Sequence, residues 1–237
     1  MKLIYVYLLL FLILIIIYFY INNNKNIENF NNSKYFHELP GHPHLDKKYG
    51  VLNCSPQEIN NTLTHLLKSF MTHCNKHDIK PILMYGGLIG SYFNGKLLPW
   101  DDDIDLMLTE PSISKLKDYE GKDFVIDVNP NCTNYSIKDT KNKISARVIS
   151  KKNGVFIDIL YHKKVGNNLI CKDKNNYEIS DIYPLKQGII NNIPIYIPNN
   201  IKKVLKQRYG KVHVKKSAGI PNNINDWVLI KDKYWLR

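Results

Sequence analysis

The hydrophobic and polar positions divide the chain into three parts. Residues 3–21 contain neither a charge nor a proline, which is close to the ~20 apolar residues that a helix needs to cross a bilayer. Residues 22–54 are polar, rich in asparagine and without an apolar period, as is typical of a linker. From Ser55 onward, apolar positions recur at helical and strand spacings. We therefore predict a membrane anchor at 1–21, a polar stalk at 22–54 and one folded domain at 55–237.

The apolar run predicts an uncleaved anchor rather than a signal peptide. The apolar core of a signal peptide is shorter and ends in small residues, whereas this run is bulky and ends in aromatic and aliphatic residues at 18–21. Lys2 places positive charge before the run, which favours a cytoplasmic N-terminus. We expect a type II membrane protein of the secretory pathway (endoplasmic reticulum or Golgi) with a luminal domain. Glycosylation sequons agree with this location and lie at Asn31, Asn53, Asn60, Asn131 and Asn134.

The folded domain begins with a helix signal. Residues 55–58, Ser-Pro-Gln-Glu, form a capping box with proline at the first helical position, and apolar residues follow at helical spacing from Ile59 to Cys74. Short apolar strands with turn residues between them come next. They are predicted at 82–85, 104–108, 124–128, 144–149 and 155–160, with a further hairpin about Asn191-Asn192 and a basic helix that ends at Gly210. The pattern predicts an α+β domain.

Four aspartates lie within five positions, at 101, 102, 103 and 105. Such a cluster repels itself unless a cation or strong donors neutralise it. Because apolar residues alternate with Asp103 and Asp105, the segment is predicted to be a strand that carries Asp101, Asp103 and Asp105 on one face, roughly 6.6 Å apart. Carboxylates so placed can bind a divalent ion. The alternative interpretation is an acidic turn beside an ordinary core strand.

A glycine pair precedes the aspartates. Residues 82–85 are predicted to be a buried strand that ends at Gly86-Gly87, and residues 88–93 a short helix. Glycines let backbone N–H groups approach phosphate oxygens, and a helix N-terminus favours negative charge. The order of strand, glycine pair, helix and acidic strand therefore indicates a site for phosphate and metal.

These residues carry a resemblance to a known family. Gly86-Gly87, Leu88, Gly90 and the sequence Pro-Trp-Asp-Asp-Asp-Ile-Asp at 99–105 resemble the hallmark of the LicD/fukutin family. Its members are phosphocholine and phosphosugar transferases with a nucleotidyltransferase-like fold, in which a mixed sheet is flanked by helices. The resemblance implies that Asp103 and Asp105 are the metal pair for Mg²⁺ or Mn²⁺, with Asp101 assisting. It also implies that Gly86 and Gly87 contact the nucleotide.

The resemblance leads to one more carboxylate and exposes one departure. Asp158 interrupts an otherwise apolar strand, so it is expected to meet a cation or to point outward on an edge. Its surroundings resemble the family's later acidic strand. The resemblance therefore makes Asp158 the candidate third metal ligand. Arg147 is expected to reach a phosphate or to form a surface salt bridge. Family members commonly carry an arginine where this chain has Phe93, so Lys96 or Arg147 would have to replace it, or the donor would differ.

The chain is basic, with a formal net charge of +12. A nucleic-acid partner is the usual inference, but the lysines are scattered and no nucleic-acid motif is present, so we expect none. With the resemblance, the charge suits a CDP-linked donor and a glycan or glycoprotein acceptor. The predicted activity is transfer of ribitol phosphate or phosphocholine to a glycan hydroxyl. The alternatives are a nucleotidyltransferase that releases pyrophosphate and a non-catalytic membrane protein that binds a glycan or a partner.

Overall fold

The computed structural model describes residues 54–98, 101–129, 144–171 and 175–209, the single positions 13, 15 and 133, and the segments 228–230 and 233–235. The predicted anchor and stalk therefore lie almost wholly outside the described residues. Among the residues that are described, no helix combines the length and the hydropathy needed to cross a membrane. The chain divides into two compact units, Met1–Phe36 and His37–Arg237, and the elements below belong to the second.

The second unit mixes helices and strands. The helices, numbered along the chain, are α1 (Pro56–Lys76), α2 (Tyr85–Asn94), α3 (Ser112–Lys115), α4 (Ile179–Ile182) and α5 (Ile201–Tyr209). The strands are β1 (Ile82–Leu83), β2 (Asp105–Leu108), β3 (Tyr119–Glu120), β4 (Phe124–Val128), β5 (Ala146–Ser150), β6 (Phe156–Val165), β7 (Asn168–Cys171), β8 (Tyr177–Glu178), β9 (Lys186–Ile190), β10 (Ile193–Ile197), β11 (Val228–Ile230) and β12 (Lys233–Trp235). The predicted α+β class is confirmed.

The main sheet is mixed, with the strand order β3-β4-β5-β6-β2-β1-β10-β9. β2 runs parallel to β6 and β1 runs parallel to β10, whereas the other neighbours along this order are antiparallel. β7 pairs with β6 outside this order, and β8 pairs with β7. The central position of β2 and β6 brings together two acidic segments that are far apart in the sequence.

Helix α1 forms as its sequence predicts. Glu58 N–H donates to Ser55 Oγ (3.3 Å), and Ser55 N–H donates to Glu58 Oε2 (2.8 Å), so the capping box is complete. The apolar stripe is buried and packs against strands that include β5 and β6. Its buried apolar members are Leu63, Leu66, Leu67, Phe70, Met71 and Cys74. The helix thus covers the sheet that holds the acidic residues.

The prediction that Asp101, Asp103 and Asp105 share one face of a strand is wrong. β2 begins only at Asp105, and residues 101–104 have no regular structure. The first hydrogen bond to β6 involves the residue before β2: the N–H of Asp158 donates to the carbonyl of Ile104 (2.9 Å). Aspartate has a low strand propensity, and like charges on one face of a strand repel. The acidic segment therefore reaches the sheet as a loop.

The start of α2 also differs from the prediction. The helix begins at Tyr85 rather than Leu88, so the glycine pair occupies its first turn instead of a loop before it. The strand before it is correspondingly shorter and ends at Leu83. Tyr85 takes a positive φ of 49°, which lets the chain turn directly from strand to helix.

The two predicted hairpins are confirmed. β5 pairs with β6 in antiparallel register, and β6 extends to Val165, five residues beyond the predicted end. β9 pairs with β10 across Asn191 and Asn192, which both have positive φ (47° and 61°). Asparagine tolerates this conformation better than most residues, which explains why this dipeptide could be recognised as a turn.

Candidate functional site

The N-terminus of α2 presents backbone donors beside the acidic loop. Met84 is the N-cap and provides no side-chain cap, and the first intrahelical bond runs from Leu88 N–H to the Met84 carbonyl (3.0 Å). The N–H groups of Gly86 and Gly87 precede that bond, so they are the groups that an anion at this helix end would contact. Met84 N–H in turn donates to the Asp105 carbonyl (3.0 Å) and ties this end of the helix to β2.

Each glycine of the pair permits a different close approach. A Cβ atom on Gly86 would lie 2.6 Å from Asp101 Oδ2, whereas one on Gly87 would lie 2.8 Å from Leu83 Cδ1. Gly86 therefore lets the Asp101 carboxylate lie against the helix backbone, and Gly87 lets the helix pack on β1. Gly86 and Asp101, both predicted site residues, are in direct contact.

Asp101 is a carboxylate with an unsatisfied oxygen. Its Oδ2 is buried, and within the described part of the chain no hydrogen-bond donor reaches it. Burial, followed by the charges of the neighbouring Asp103 and Asp102, raises the pKa of Asp101 to about 8. A buried oxygen without a donor is energetically costly, so a donor or a cation that reached Asp101 Oδ2 would stabilise this arrangement.

Asp105 lies among the other acidic residues. Burial raises its pKa well above the ordinary value, and the charges of Asp103, Asp158 and Asp101 act in the same direction. The register places Asp105 directly beside Asp158 on the parallel strand β6. Asp101, Asp103 and Asp158, which the sequence had singled out, therefore all lie within electrostatic reach of Asp105.

Asp158 is paired with Arg147 on the adjacent strand β5. Arg147 Nε donates to Asp158 Oδ1 (2.5 Å), and Arg147 Nη2 donates to Asp158 Oδ2 (3.0 Å). Each residue is only 7% exposed, and the guanidinium also lies 3.7 Å from the ring centroid of Phe156. Asp158 was expected either to meet a cation or to point outward on an edge. It meets a cation, the guanidinium of Arg147. Arg147 was predicted to reach a phosphate or form a surface salt bridge; instead its guanidinium is buried against a carboxylate.

Lys96 follows the C-terminus of α2, and its N–H donates to the carbonyl of Gly90 (3.3 Å). The helix ends at Asn94, Gly95 follows in the left-handed conformation (φ 63°), and Lys96 is exposed beyond it. None of the charges that shift the pKa of Asp101 belongs to a lysine. The structure gives no support for Lys96 as the cation of the acidic loop, and its predicted role in nucleotide binding remains untested.

Two residues of α5 approach the site without having been predicted there. Arg208 is the cation whose charge lowers the pKa of Asp105, and its Cζ lies 5.0 Å from the ring centroid of Tyr85. The pKa of Tyr209 is raised by burial and then by the charge of Asp105. The sequence showed Arg208 only as one of several basic residues on a short helix. Its relevance depends on the packing of α5 against α2, which no local pattern reveals.

The arrangement fits a divalent cation that is shared with a substrate. Within the described ranges, no three acidic, histidine or cysteine side chains are grouped closely enough to hold a metal ion by themselves. Mg²⁺ commonly takes only one or two carboxylates and completes its coordination with water and substrate phosphates. The crowded carboxylates around Asp105 are hard oxygen donors of the kind that such an ion prefers.

Without a bound cation, the protein should lose stability as the pH rises from 5 to 8. The pKa of Asp101 is about 8 in the folded state against an ordinary value of 3.8, so in this range the folded chain holds a proton that the unfolded chain has released. The free energy of unfolding then falls with pH, by at most about 1.4 kcal/mol per pH unit for this group. Urea denaturation of the full chain in chelator should show the decline.

The matched variants separate this effect from a general pH effect. Asp101→Asn should flatten the decline between pH 5 and pH 8, whereas Asp123→Asn, at an exposed aspartate before β4, should leave it unchanged. A wild-type free energy of unfolding that rises over the same range would contradict the raised pKa.

Comparison with known proteins covers the stretch of chain that contains these residues. The family model described as LicD/FKTN/FKRP, nucleotidyltransferase domain, matches residues 78–200, which include the glycine pair, the acidic loop and Asp158. Mannosyltransferase regulator 4 of Saccharomyces cerevisiae is 26% identical over 166 residues, which is 64% of this chain and 14% of that protein. Mannosyltransferase regulator 14 of the same yeast is 29% identical over 136 residues, which is 50% of this chain and 14% of that protein.

This chain therefore spans only a small part of each yeast relative. The family match is different, because it covers more than half of the 237 residues and coincides with the strands and loops that form the site. The resemblance predicted from the glycine and aspartate motifs is confirmed, and the chain belongs to the LicD/FKTN/FKRP family.

Proposed function

We propose that the protein is a metal-dependent phosphotransferase that moves a phospho-alcohol, of the ribitol phosphate or phosphocholine type, from a CDP-activated donor to a glycan hydroxyl. The family supports a glycan-modifying, transferase-like role. The observation that carries the proposal is the position of the acidic loop, whose Asp101 carboxylate lies directly against Gly86 at the uncapped N-terminus of α2. Ligands for a cation and donors for phosphate thus lie side by side.

Asp103 and Asp105 are the residues that would hold Mg²⁺ or Mn²⁺. When bound, the ion would offset the negative charge of the donor diphosphate, as metal ions do in phosphoryl transfer. The N–H groups of Gly86 and Gly87 contact phosphate oxygens and orient the diphosphate at the helix end. Burial, and after it the neighbouring carboxylates, raises the pKa of Asp105, and a bound cation would offset both effects.

Asp101 is our candidate for the base that takes the proton of the acceptor hydroxyl. Its carboxylate lies against Gly86, beside the N–H groups that face the phosphates, and its Oδ2 has no donor within the described residues. Both oxygens of Asp158 already accept hydrogen bonds from Arg147, so Asp158 is the poorer choice. The deprotonated hydroxyl oxygen attacks the β-phosphorus, the bond from that phosphorus to the CMP oxygen breaks, and CMP leaves.

The acceptor and the location follow from the same proposal. We propose a glycan or glycoprotein acceptor, and we propose that residues 1–21 anchor the domain at the luminal side of a secretory membrane. The net charge of +12 favours anionic substrates, including a nucleotide diphosphate and a phosphorylated glycan.

The leaving group tests the proposal. The full-length chain is incubated with CDP-ribitol, CDP-choline or CTP and a mixture of glycan acceptors, with Mn²⁺ or with chelator, and the released nucleotide is identified by mass spectrometry. CMP that depends on both Mn²⁺ and acceptor supports the phosphotransferase. Pyrophosphate released from CTP would instead identify a nucleotidyltransferase that uses the same fold.

A second candidate function is non-catalytic regulation of a mannosyltransferase. Two observations favour it: the yeast relatives are named as mannosyltransferase regulators, and Arg147 engages the predicted third carboxylate, Asp158. Under this reading the site would bind nucleotide or glycan without turnover. Binding of CDP in calorimetry, together with no released product from any of the three donors, would favour the regulator over the enzyme.

A further inference from the structure

Arg208 holds its charge at the N-terminus of α2. The residue is exposed in the last turn of α5, and its Cζ lies 5.0 Å from the ring centroid of Tyr85 and 5.9 Å from that of Tyr209. Tyr85 is the first residue of α2 and directly precedes Gly86-Gly87. The guanidinium therefore lies over the ring of the residue next to the two glycines, and its charge also lowers the pKa of Asp105.

Tyr85 is a fixed platform for this cation. Its side chain is 8% exposed, its backbone is constrained to a φ of 49°, and its hydroxyl accepts a hydrogen bond from Asn175 Nδ2 (3.2 Å). A guanidinium on an aromatic face is attracted by the ring, and its planar group is already oriented when a ligand arrives. Arg208 is therefore held near the site although it remains accessible to solvent.

The other two basic residues considered for the site are placed differently. The guanidinium of Arg147 is buried and bound to Asp158, and Lys96 follows the C-terminus of α2, where its backbone packs against Gly90. Arg208 combines exposure with a position beside the glycine pair. It also lies outside residues 78–200, the stretch that the family model matches.

We propose that Arg208 binds the phosphates of the nucleotide donor at the N-terminus of α2, with Tyr85 as the positioning residue that holds its guanidinium there. The inference rests on the proposed function, since it concerns the same donor. Arginine is suited to this role because its planar group donates two parallel hydrogen bonds to phosphate oxygens. The N–H groups of the glycine pair and the guanidinium would then contact the diphosphate from adjacent sides.

The test measures nucleotide affinity rather than turnover. Full-length wild-type chain, Arg208→Ala and Arg208→Lys are titrated with CDP and with cytidine in the presence of Mn²⁺ by calorimetry. Loss of a charge-assisted hydrogen bond should weaken CDP binding by about 10- to 100-fold in Arg208→Ala, while cytidine, which lacks phosphate, should bind as it does to wild type. Arg208→Lys should recover part of the affinity because it restores the charge without the planar group.

Two further variants sharpen the result. Lys206→Ala removes an exposed cation from the same helix two residues earlier, and it should leave the affinity for CDP unchanged. Tyr85→Leu removes the aromatic platform and should weaken CDP binding less than Arg208→Ala does, with no effect on cytidine. Thermal unfolding of each variant verifies that the domain is folded.

The titrations with CDP and cytidine have outcomes that would overturn the role of Arg208. Equal affinity of wild type and Arg208→Ala for CDP would overturn the inference, as would an equal loss for CDP and cytidine, since a structural role would weaken both. If wild type releases CMP from a CDP-linked donor but Arg208→Ala binds CDP normally, the inference fails and the proposed function stands. If wild type binds no CDP in Mn²⁺, both fail.

Discussion

Replacing Asp103 or Asp105 by alanine should reduce metal-dependent CMP release by about 100-fold or more, the scale of loss seen when one charge-stabilising group is removed from an active site. In the proposed site these two carboxylates are the protein's ligands for the cation, and the remaining ligands come from the donor and water. No neighbouring carboxylate can take over the position of Asp105, because the register of β2 with β6 holds this residue beside Asp158. The measurement is the rate of CMP release in saturating Mn²⁺.

The same substitutions should not destabilise the metal-free protein. The pKa of Asp105 is raised by burial and by three neighbouring carboxylates, so an uncharged residue there removes repulsion. We expect Asp105→Asn to unfold in chelator at the same urea concentration as wild type or a higher one, while its activity is lost. This opposition between activity and stability is typical of functional sites.

Asp123→Asn is the matched control for the two site variants, because it removes an exposed carboxylate that lies in the bend before β4. Its rate of CMP release should equal that of wild type. Normal CMP release in both Asp103→Ala and Asp105→Ala would rule out this site as the catalytic one. Activity lost together with several kcal/mol of stability would show that the aspartates support the fold instead.

Arg147→Met should lower the free energy of unfolding by about 3–5 kcal/mol, the cost of breaking a buried ion pair from one side. The substitution leaves the Asp158 carboxylate buried without its two donors and still beside Asp105. Removing both members is expected to be much milder, because well-packed apolar residues often replace a buried ion pair at little or no cost. The double variant Arg147→Met/Asp158→Leu should therefore regain most of the lost stability in urea denaturation.

An exposed ion pair of the same sheet provides the comparison. Lys151 Nζ lies 2.9 Å from Glu120 Oε1, and the Glu120 side chain is 75% exposed, so Lys151→Ala should change the stability by less than about 1 kcal/mol. If Arg147→Met were as mild as Lys151→Ala, the pair with Asp158 would not be the structural element described above. A double variant as unstable as Arg147→Met would show that the arginine acts through contacts other than Asp158.

The features that the sequence predicted correctly depend on residues close together in the chain. The capping box and apolar stripe of α1 need only neighbouring positions, and the turn at Asn191 and Asn192 needs only two residues that tolerate positive φ. The glycine and aspartate motifs likewise identified the family. The carboxylates of the site were selected from their chemistry, since a charged residue inside an apolar strand requires a partner.

The features that the sequence missed depend on the register and packing of distant segments. The sequence indicated that Asp158 meets a cation or faces outward, but the pairing with Arg147 follows from the register of β5 and β6. The late start of β2 depends on where its bonds with β6 begin. Arg208 was visible only as part of a basic helix, because its position relative to Tyr85 results from the packing of α5.

The parallel pairing of β2 with β6 has a consequence for the newly synthesised chain. Asp105 leaves the ribosome about fifty residues before its partner strand and about a hundred before α5, and such long-range contacts form late in folding. The Asp101–Asp105 segment is therefore not joined by Asp158, or approached by α5, until those later segments have been synthesised. Tight capture of a divalent ion would then mark completed synthesis, and a chain truncated before β6 would lack it.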